Sequence, residues 1–327
     1  MRKGGIGFFD SGIGGLTVLY ACAKVTRGVP VYYYGDNARA PYGNRDINDI
    51  RACVREAFSV FERLNVTAVV IACNTVTALL LEELRAQYSF PIIGIEPAVF
   101  PAVKKYSRVL VLATNATVNS IRFQTLCERA LSAYPTAEIR AVGCARLAGE
   151  IERMAKAEAV DVESLLPALH PQAVVLGCTH YSFIKDRIAR FYGVETFDGN
   201  EGVAARLNTL LSSSRIKDVN GTLEGADKFS GNSDTQSNSD DEAEKGKLRR
   251  KRSNFPMDSK GFGKLSGVAF YSTKKDKNSP FQRSKKRFRL DNAKIAQSLY
   301  FLGSGRCLNC QFYERMFVFG GAGVGSG

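Results

Sequence analysis

The chain has 327 residues, of which 45% are hydrophobic, so its length and composition allow two domains with ordinary cores. Its 8 cysteines are too sparse for a secreted scaffold held by disulfides, so we expect free thiols and a reducing, cytoplasmic environment. The first ten residues contain no sustained apolar stretch, so neither a signal peptide nor a membrane span is predicted there. The net charge of +13 comes mostly from the last third of the chain and should not be read as a property of a site elsewhere.

Predicted strands and helices alternate through the first part of the chain. The turn at residues 10–15 reads DSGIGG, which matches a dinucleotide-binding loop only weakly. Asp10 would repel a phosphate there, so we expect an ammonium group instead. The turn Pro41–Gly43 presents backbone N–H groups and a phenol, a combination suited to a carboxylate. The elements predicted here are strands at 6–9, 31–34, 68–71 and 91–97, and helices from 16, at 50–64 and through 84.

The second part of the chain repeats the same order of elements. It begins with a strand at 109–112 and ends with a helix that runs through Leu211. Alternation of strand and helix over such a length predicts a parallel α/β fold. Between those two elements we predict a polar turn at 113–117, helices at 118–131 and 147–159, a strand at 173–177, a segment at 183–191 and a turn at 196–201.

The composition changes after residue 212. The stretch 213–264 is polar and of low complexity, which predicts a linker or disorder. A strand at 267–272 and a helix at 291–302 follow it. The predicted domains are 1–97, completed by 201–212 and 267–303; 98–200; the insertion 213–264; and a flexible tail, 304–327.

One short pattern occurs twice and organises the chain. Residues 68–75 read AVVIACNT, and residues 173–180 read AVVLGCTH. Each apolar run predicts a strand buried on both faces of a parallel sheet. A cysteine just past such a strand lies at its carboxyl end, where open α/β sheets bind ligands. Cys73 and Cys178 are therefore candidates for two proton-transfer groups, one on each face of a shared substrate.

The other cysteines and the basic run are interpreted as structural or solvated features rather than as functional sites. Cys22, Cys53 and Cys127 lie within helical patterns, where a free cysteine is usually a small core residue. The pair at positions 307 and 310 has only half of a zinc spacing, so we predict no metal. The basic run at 247–252 lacks interleaved aromatics, so a solvated linker is favoured over nucleic-acid binding. His180, two residues past Cys178, is expected to tune that thiol.

Four separate motifs, in order along the chain, resemble glutamate racemase of the aspartate/glutamate racemase family. The resemblance covers about residues 5–212 and implies an α/β fold of two pseudo-symmetric parallel-sheet domains with the active site in the cleft between them. The motifs are FDSGIGGLTV at 9–18, YGDNARAPYG at 34–43, ACNT at 72–75 and GCTHY at 177–181.

The resemblance also implies a reaction that needs no cofactor. One thiolate removes the α-proton of glutamate and the opposite thiol delivers a proton to the other face, with Cys73 acting on D-glutamate and Cys178 on L-glutamate. It implies that Asp10 and His180 assist the thiols, with Glu152 or Glu150 as a further carboxylate near Cys178. The residues that it implies for substrate binding are Asp10, Ser11, Pro41, Tyr42, Gly43, Asn74, Thr75, Thr114, Thr117, Thr179 and His180.

The expected function is racemisation of glutamate in the cytoplasm to supply D-glutamate for peptidoglycan. One alternative is an aspartate racemase with the same fold and paired cysteines. Another is a non-catalytic binding protein that uses the basic last third of the chain. The expected partner is the small-molecule substrate, with no membrane and no nucleic acid, and the sequence leaves a homodimer open.

Overall fold

The computed structural model describes residues 4–26, 28–154, 161–220 and 268–272. Strands and helices alternate through these residues as the sequence predicts. The strands are β1 (Ile6–Asp10), β2 (Val31–Gly35), β3 (Ala68–Ile71), β4 (Ile92–Gly94), β5 (Arg108–Ala113), β6 (Glu138–Gly143), β7 (Ala173–Gly177), β8 (Glu195–Asp198) and β9 (Val268–Ser272). The helices are α1 (Gly15–Cys22), α2 (Ile47–Arg63), α3 (Asn74–Gln87), α4 (Val99–Val103), α5 (Asn115–Val118), α6 (Ile121–Ala133), α7 (Leu147–Met154), α8 (Lys185–Tyr192) and α9 (Asn200–Asn220).

The strands form two parallel sheets, which confirms the predicted fold class. The first sheet has the order β4-β3-β1-β2-β9, and the second has the order β6-β5-β7-β8. All of the strand pairs within them are parallel. The two strands that precede Cys73 and Cys178 are β3 and β7, and each is flanked by a strand on both sides. Both cysteines therefore lie just past the carboxyl ends of interior strands, each at the carboxyl edge of its sheet.

The repeated apolar runs form strands because both faces of each sheet are covered. Every residue of β1, β3 and β7 is buried. Helix α9 packs on one face of the first sheet through Val203 and Leu207, and α2 covers the other face through residues that include Phe58 and Phe61. Successive side chains of a strand point to opposite faces of the sheet, and here both faces are covered. A polar side chain at any position would therefore lose its hydration, which explains why these strands are continuously apolar.

Among the described strands and α-helices, β6, β8 and α4 were not predicted from the sequence. The predicted turn at 196–201 overlaps β8, so that part of the prediction is wrong. Strands β6 and β8 lie at the two edges of the second sheet, and the residues of β6 are exposed or half-buried. Edge strands need less apolar surface than interior ones, so their sequence signal is weak. The predicted polar turn at 113–117 also contains the start of a short helix, α5.

The end of the second part also differs from the prediction. Helix α9 continues to Asn220, so the predicted linker from residue 213 begins with helix. The predicted last strand is present as β9, which pairs in parallel with β2. The remaining insertion, the predicted helix at 291–302, the tail and the cysteines at 307 and 310 lie outside the described residues. Among the helices that the structure describes, none has the length and hydropathy needed to cross a bilayer.

Candidate active site

Cys73 lies between β3 and α3, next to the residues that follow β1. Its Sγ donates a hydrogen bond to Ser11 Oγ at 3.5 Å. The pKa of the Cys73 thiol is raised to about 12, chiefly by burial and also by the Asp10 carboxylate, although the hydrogen bond to Ser11 acts to lower it. Cys73 is therefore a neutral thiol at neutral pH.

Cys178 lies at the end of β7, where a 3-10 helix, Thr179–Ile184, begins. Its Sγ is 3.7 Å from His180 Nδ1, and His180 Nε2 is 2.6 Å from Glu152 Oε1. Burial disfavours the imidazolium, but hydrogen bonds to Cys178 and Glu152 outweigh it, and the pKa of His180 is raised well above 6.5. The three side chains thus form a hydrogen-bonded chain from thiol to carboxylate.

The structure distinguishes the two carboxylates of α7. Glu152 is buried against His180, as described above, whereas Glu150 Oε2 forms an ion pair with Arg153 Nη1 at 2.8 Å. The sequence left the choice between them open. Only Glu152 contacts the histidine that lies beside Cys178.

Asp10 ends β1 and is completely buried. Its carboxylate accepts hydrogen bonds from Gly12 N at 3.0 Å and from Thr179 Oγ1 at 3.3 Å. Burial raises the pKa of Asp10, and the charge of His180 and backbone N–H groups of the following turn act against that rise. Because Thr179 follows Cys178, this contact joins the carboxyl edges of the two sheets in one site.

Three buried hydroxyls form a second group, which includes Thr75, two residues after Cys73. Thr75 Oγ1 is 3.0 Å from Thr114 Oγ1, which is 3.0 Å from Thr117 Oγ1. A Cβ atom added at Gly43 would lie 2.7 Å from Thr114, so the Pro41–Gly43 turn packs on this group. The side-chain nitrogen of Asn74 is buried and has no hydrogen-bond partner among the described residues. These donors suit an anionic ligand group.

The predicted exposure of the Tyr42 phenol is wrong. Tyr42 is 1% exposed and belongs to the core between the first sheet and α2. Its hydroxyl donates to Asp36, which also pairs with Arg39 Nε at 2.6 Å. The hydroxyl is thus engaged by a carboxylate of the protein. Pro41 lies near α7, 4.0 Å from a Cβ atom built on Gly149.

Asp36 and Tyr33 were not identified from the sequence as part of this region. Asp36 directly follows β2, so the strand-end rule that identified Asp10 could have found it. Tyr33 is a strand residue whose hydroxyl donates to Gly12 O at 2.9 Å, below the glycine-rich turn. No sequence signal distinguishes that tyrosine from an ordinary core residue.

The described residues contain no group of three or more His, Cys, Asp or Glu side chains that could hold a metal ion. The sulfur, imidazole and carboxylate groups near the thiols instead pair with one another and with hydroxyls. Such pairs can move a proton within hydrogen-bond distance. The thiols, the imidazole and the carboxylates are thus acidic and basic groups that surround a single site.

Comparison with known proteins identifies the family. The profile of the family described as Asp/Glu/Hydantoin racemase matches residues 14–207. This chain belongs to that family. A glutamate racemase of Halothermothrix orenii is 35% identical over 222 residues, which are 65% of this chain and 87% of that protein. This racemase is therefore an isomerase that acts on amino acids.

Solved racemase structures share the fold. The glutamate racemase of Escherichia coli, in complex with L-glutamate and the activator UDP-MurNAc-ala, has a TM-score of 0.58 and 28% identity, covering 64% of this chain and 83% of that one. The glutamate racemase of Francisella tularensis, in complex with D-glutamate, has a TM-score of 0.55 and 28% identity, covering 66% and 84%. The two-sheet architecture of this racemase is thus the architecture of those enzymes.

Proposed function

We propose that this racemase interconverts L- and D-glutamate without a cofactor, using Cys73 and Cys178 as its two acid–base groups. The observation that carries the proposal is the convergence of both thiols on one site, each with its own carboxylate. Cys73 has Asp10 and Ser11, while Cys178 has His180 and Glu152. The similarity to glutamate racemases at 35% identity supports the choice of substrate.

Racemisation by this route is a transfer of two protons. A thiolate on one face takes the α-proton of glutamate, and the electron pair of the broken C–H bond delocalises into the α-carboxylate. The thiol on the opposite face then delivers its proton to the same carbon. With L-glutamate bound, Cys178 is the base and Cys73 is the acid. The burial that keeps Cys73 protonated at neutral pH suits it to that acid role.

The remaining predicted residues supply the binding groups. The side-chain nitrogen of Asn74, which has no partner among the described residues, and the hydroxyls of Thr75, Thr114 and Thr117 are donors for the α-carboxylate, whose negative charge grows in the transition state. The Asp10 carboxylate and Ser11 face the α-ammonium group, with Thr179 beside them. The backbone N–H groups of Tyr42 and Gly43 would bind the side-chain carboxylate. Pro41 has no N–H and would shape the turn, and Gly43 lets the turn pack against Thr114.

A cellular role follows from the product of this reaction. D-Glutamate is a building block of peptidoglycan, so we propose that the enzyme serves cell-wall synthesis in the cytoplasm. The domain boundaries given above belong to the same proposal, with the substrate enclosed between residues of the two halves.

The test is to follow optical activity and α-proton exchange in deuterated buffer. We expect L-glutamate to lose optical activity and to take up one α-deuterium, while L-aspartate does neither. Cys73→Ser and Cys178→Ser should each lower the rate by at least about 10³-fold, because a serine hydroxyl is a far weaker base than a thiolate.

The matched control is Cys127→Ser, which makes the same atomic change at a half-buried helix position away from the thiols. It should keep the rate within about twofold, because surface and helix substitutions of this size perturb little. Turnover close to that of the parent enzyme in either active-site variant would refute the two-thiol mechanism. Exchange of aspartate at a rate comparable with glutamate would refute the proposed substrate.

A further inference from the structure

The glycine-rich turn after β1 belongs to the first half of the chain but packs into the second. Ile13 is 1% exposed, and its side chain lies in the core cluster that contains Leu147, Ile151 and Tyr181 of the second half. The turn therefore reaches from one sheet into the core beneath the other. The contacts of this turn explain why it contains several glycines.

Gly12 and Ile13 meet Glu152 directly. Ile13 N–H donates to Glu152 Oε1 at 3.3 Å, and this is the same oxygen that lies 2.6 Å from His180 Nε2. A Cβ atom added at Gly12 would lie 2.2 Å from Glu152 Oε1 and 3.1 Å from His180 Nε2. The backbone of the first half thus approaches the Glu152–His180 pair as closely as only a glycine permits.

A reciprocal contact runs in the other direction. Thr179, in the second half, donates from Oγ1 to Asp10 Oδ1 in the first half at 3.3 Å. A Cβ atom added at Gly14 would lie 2.3 Å from Thr179 Oγ1 and 2.8 Å from His180 N. Each half therefore supplies a hydrogen-bond donor to the carboxylate of the other half.

We propose that Gly12 and Ile13 are positioning residues for the Cys178–His180–Glu152 set, and that Thr179 is a positioning residue for Asp10. Neither acid–base set is complete within its own half, because each carboxylate is oriented by a donor from the opposite half. The inference rests on the proposed function for its kinetic consequences. It also replaces the weak dinucleotide-loop interpretation of this turn, since its glycines accommodate protein side chains.

The physical reason is that acid–base catalysis requires small distances. A misplacement of about 1 Å can lower a rate by about 100-fold. Glu152 Oε1 accepts from two donors on different halves, so its position is determined by both. A methyl group at Gly12, which would lie 3.1 Å from His180 Nε2, therefore moves the imidazole relative to Cys178.

Gly12→Ala is the decisive variant, and Gly202→Ala is its matched control. Gly202 lies in α9 and has no atom within 4 Å of an added Cβ, so the same methyl group is tolerated there. We expect Gly12→Ala to lower kcat at least tenfold in both directions while KM changes less than about threefold. Gly202→Ala should leave both constants unchanged.

A second readout does not depend on activity. The chain has 2 histidines, so the ring proton on His180 Nε2 can be assigned by ¹⁵N-histidine NMR of the unliganded enzyme, with His170→Asn as the reference. A short hydrogen bond to a carboxylate shifts that proton downfield. We expect this resonance in the parent enzyme and in Gly202→Ala, and its shift or loss in folded Gly12→Ala. Unchanged resonance and unchanged kcat in Gly12→Ala would overturn the inference.

The Thr179 pair keeps the inference testable if Gly12→Ala does not fold. Thr179→Val removes the hydroxyl and keeps the shape, and Thr179→Ser restores the donor. We expect kcat to fall at least tenfold in Thr179→Val and to recover to within about threefold in Thr179→Ser, with little change in KM. A rise in KM alone would show that Thr179 only binds substrate and would refute its positioning role. If the parent enzyme shows the NMR signature but does not racemise glutamate, the proposed function fails and the positioning contact stands.

Discussion

At the scale of single residues, two carboxylates on one helix show how position decides role. Glu150 and Glu152 are two residues apart on α7, so they point to roughly opposite sides of the helix. Glu152 is buried against His180, and Glu150 pairs with the half-exposed Arg153. The same chemical group is therefore part of the proposed acid–base set at one position and of an ion pair with a neighbouring arginine at the other.

This difference predicts a functional contrast between Glu152→Gln and Glu150→Gln. Glutamine keeps the size of the side chain but removes the charge that helps to raise the pKa of His180, so in Glu152→Gln that pKa should fall. We expect kcat to fall by about 10²-fold or more, whereas Glu150→Gln should keep the parent rate. The measurements are steady-state racemisation and an NMR titration of His180. An identical His180 titration in both variants would contradict this account.

At the scale of elements, β9 shows that a sheet can depend on a strand far along the chain. β9 pairs with all five residues of β2, from Val31↔Val268 to Gly35↔Ser272. Without it, β2 would be an edge strand although Val31, Tyr33 and Tyr34 are buried. An uncovered strand edge loses ladder hydrogen bonds and invites association with other chains.

This pairing predicts that a chain ending at residue 220 is less stable than one ending at residue 303, which retains β9. The lost ladder of a five-residue strand should lower the free energy of unfolding by about 3 kcal/mol or more, at about 1 kcal/mol per hydrogen bond. Urea denaturation and size-exclusion chromatography would measure stability and association. Equal midpoints for the two chains would show that β9 does not stabilise the sheet.

At the scale of the whole molecule, buried thiols make stability depend on alkaline pH. Burial raises the pKa of Cys22 and Cys73 to about 12, and of Cys127 and Cys144 to about 11, from an ordinary value of 9.0. These thiols ionise near pH 9 in the unfolded chain but stay protonated in the folded one. Their contribution to stability is thus complete below pH 9 and is lost as the pH rises through about 11 to 12.

The free energy of unfolding should therefore fall steadily above pH 9. Each such thiol contributes a slope of up to about 1.4 kcal/mol per pH unit. Urea denaturation at pH 8, 9 and 10 under reducing conditions would measure the slope. Cys22→Ala removes one of these thiols outside the proposed site and should make the slope shallower. A stability that stays constant or increases over this range would contradict the prediction.

Much of the architecture was predictable because it follows from local patterns. Continuous apolar runs indicated the interior strands β1, β3, β5 and β7, since a strand covered on both faces excludes polar residues. Alternation with amphipathic helices indicated parallel sheets, and a cysteine just after two of those strands indicated a shared site. The strand β9 was predictable from its own short apolar run, which follows the long polar stretch.

What the sequence by itself determined about this protein is thus the order of its elements, its α/β class and the two thiols at strand ends. Only the tertiary structure decided that Glu152 rather than Glu150 faces His180, that Asp36 engages Tyr42, and that the glycine-rich turn packs against Glu152 and Thr179. The edge strands β6 and β8 were also identified only from the tertiary structure. The physical reason is that periodicity and strand ends are properties of neighbouring residues, whereas these contacts join residues up to 169 positions apart, which the folded chain alone brings together.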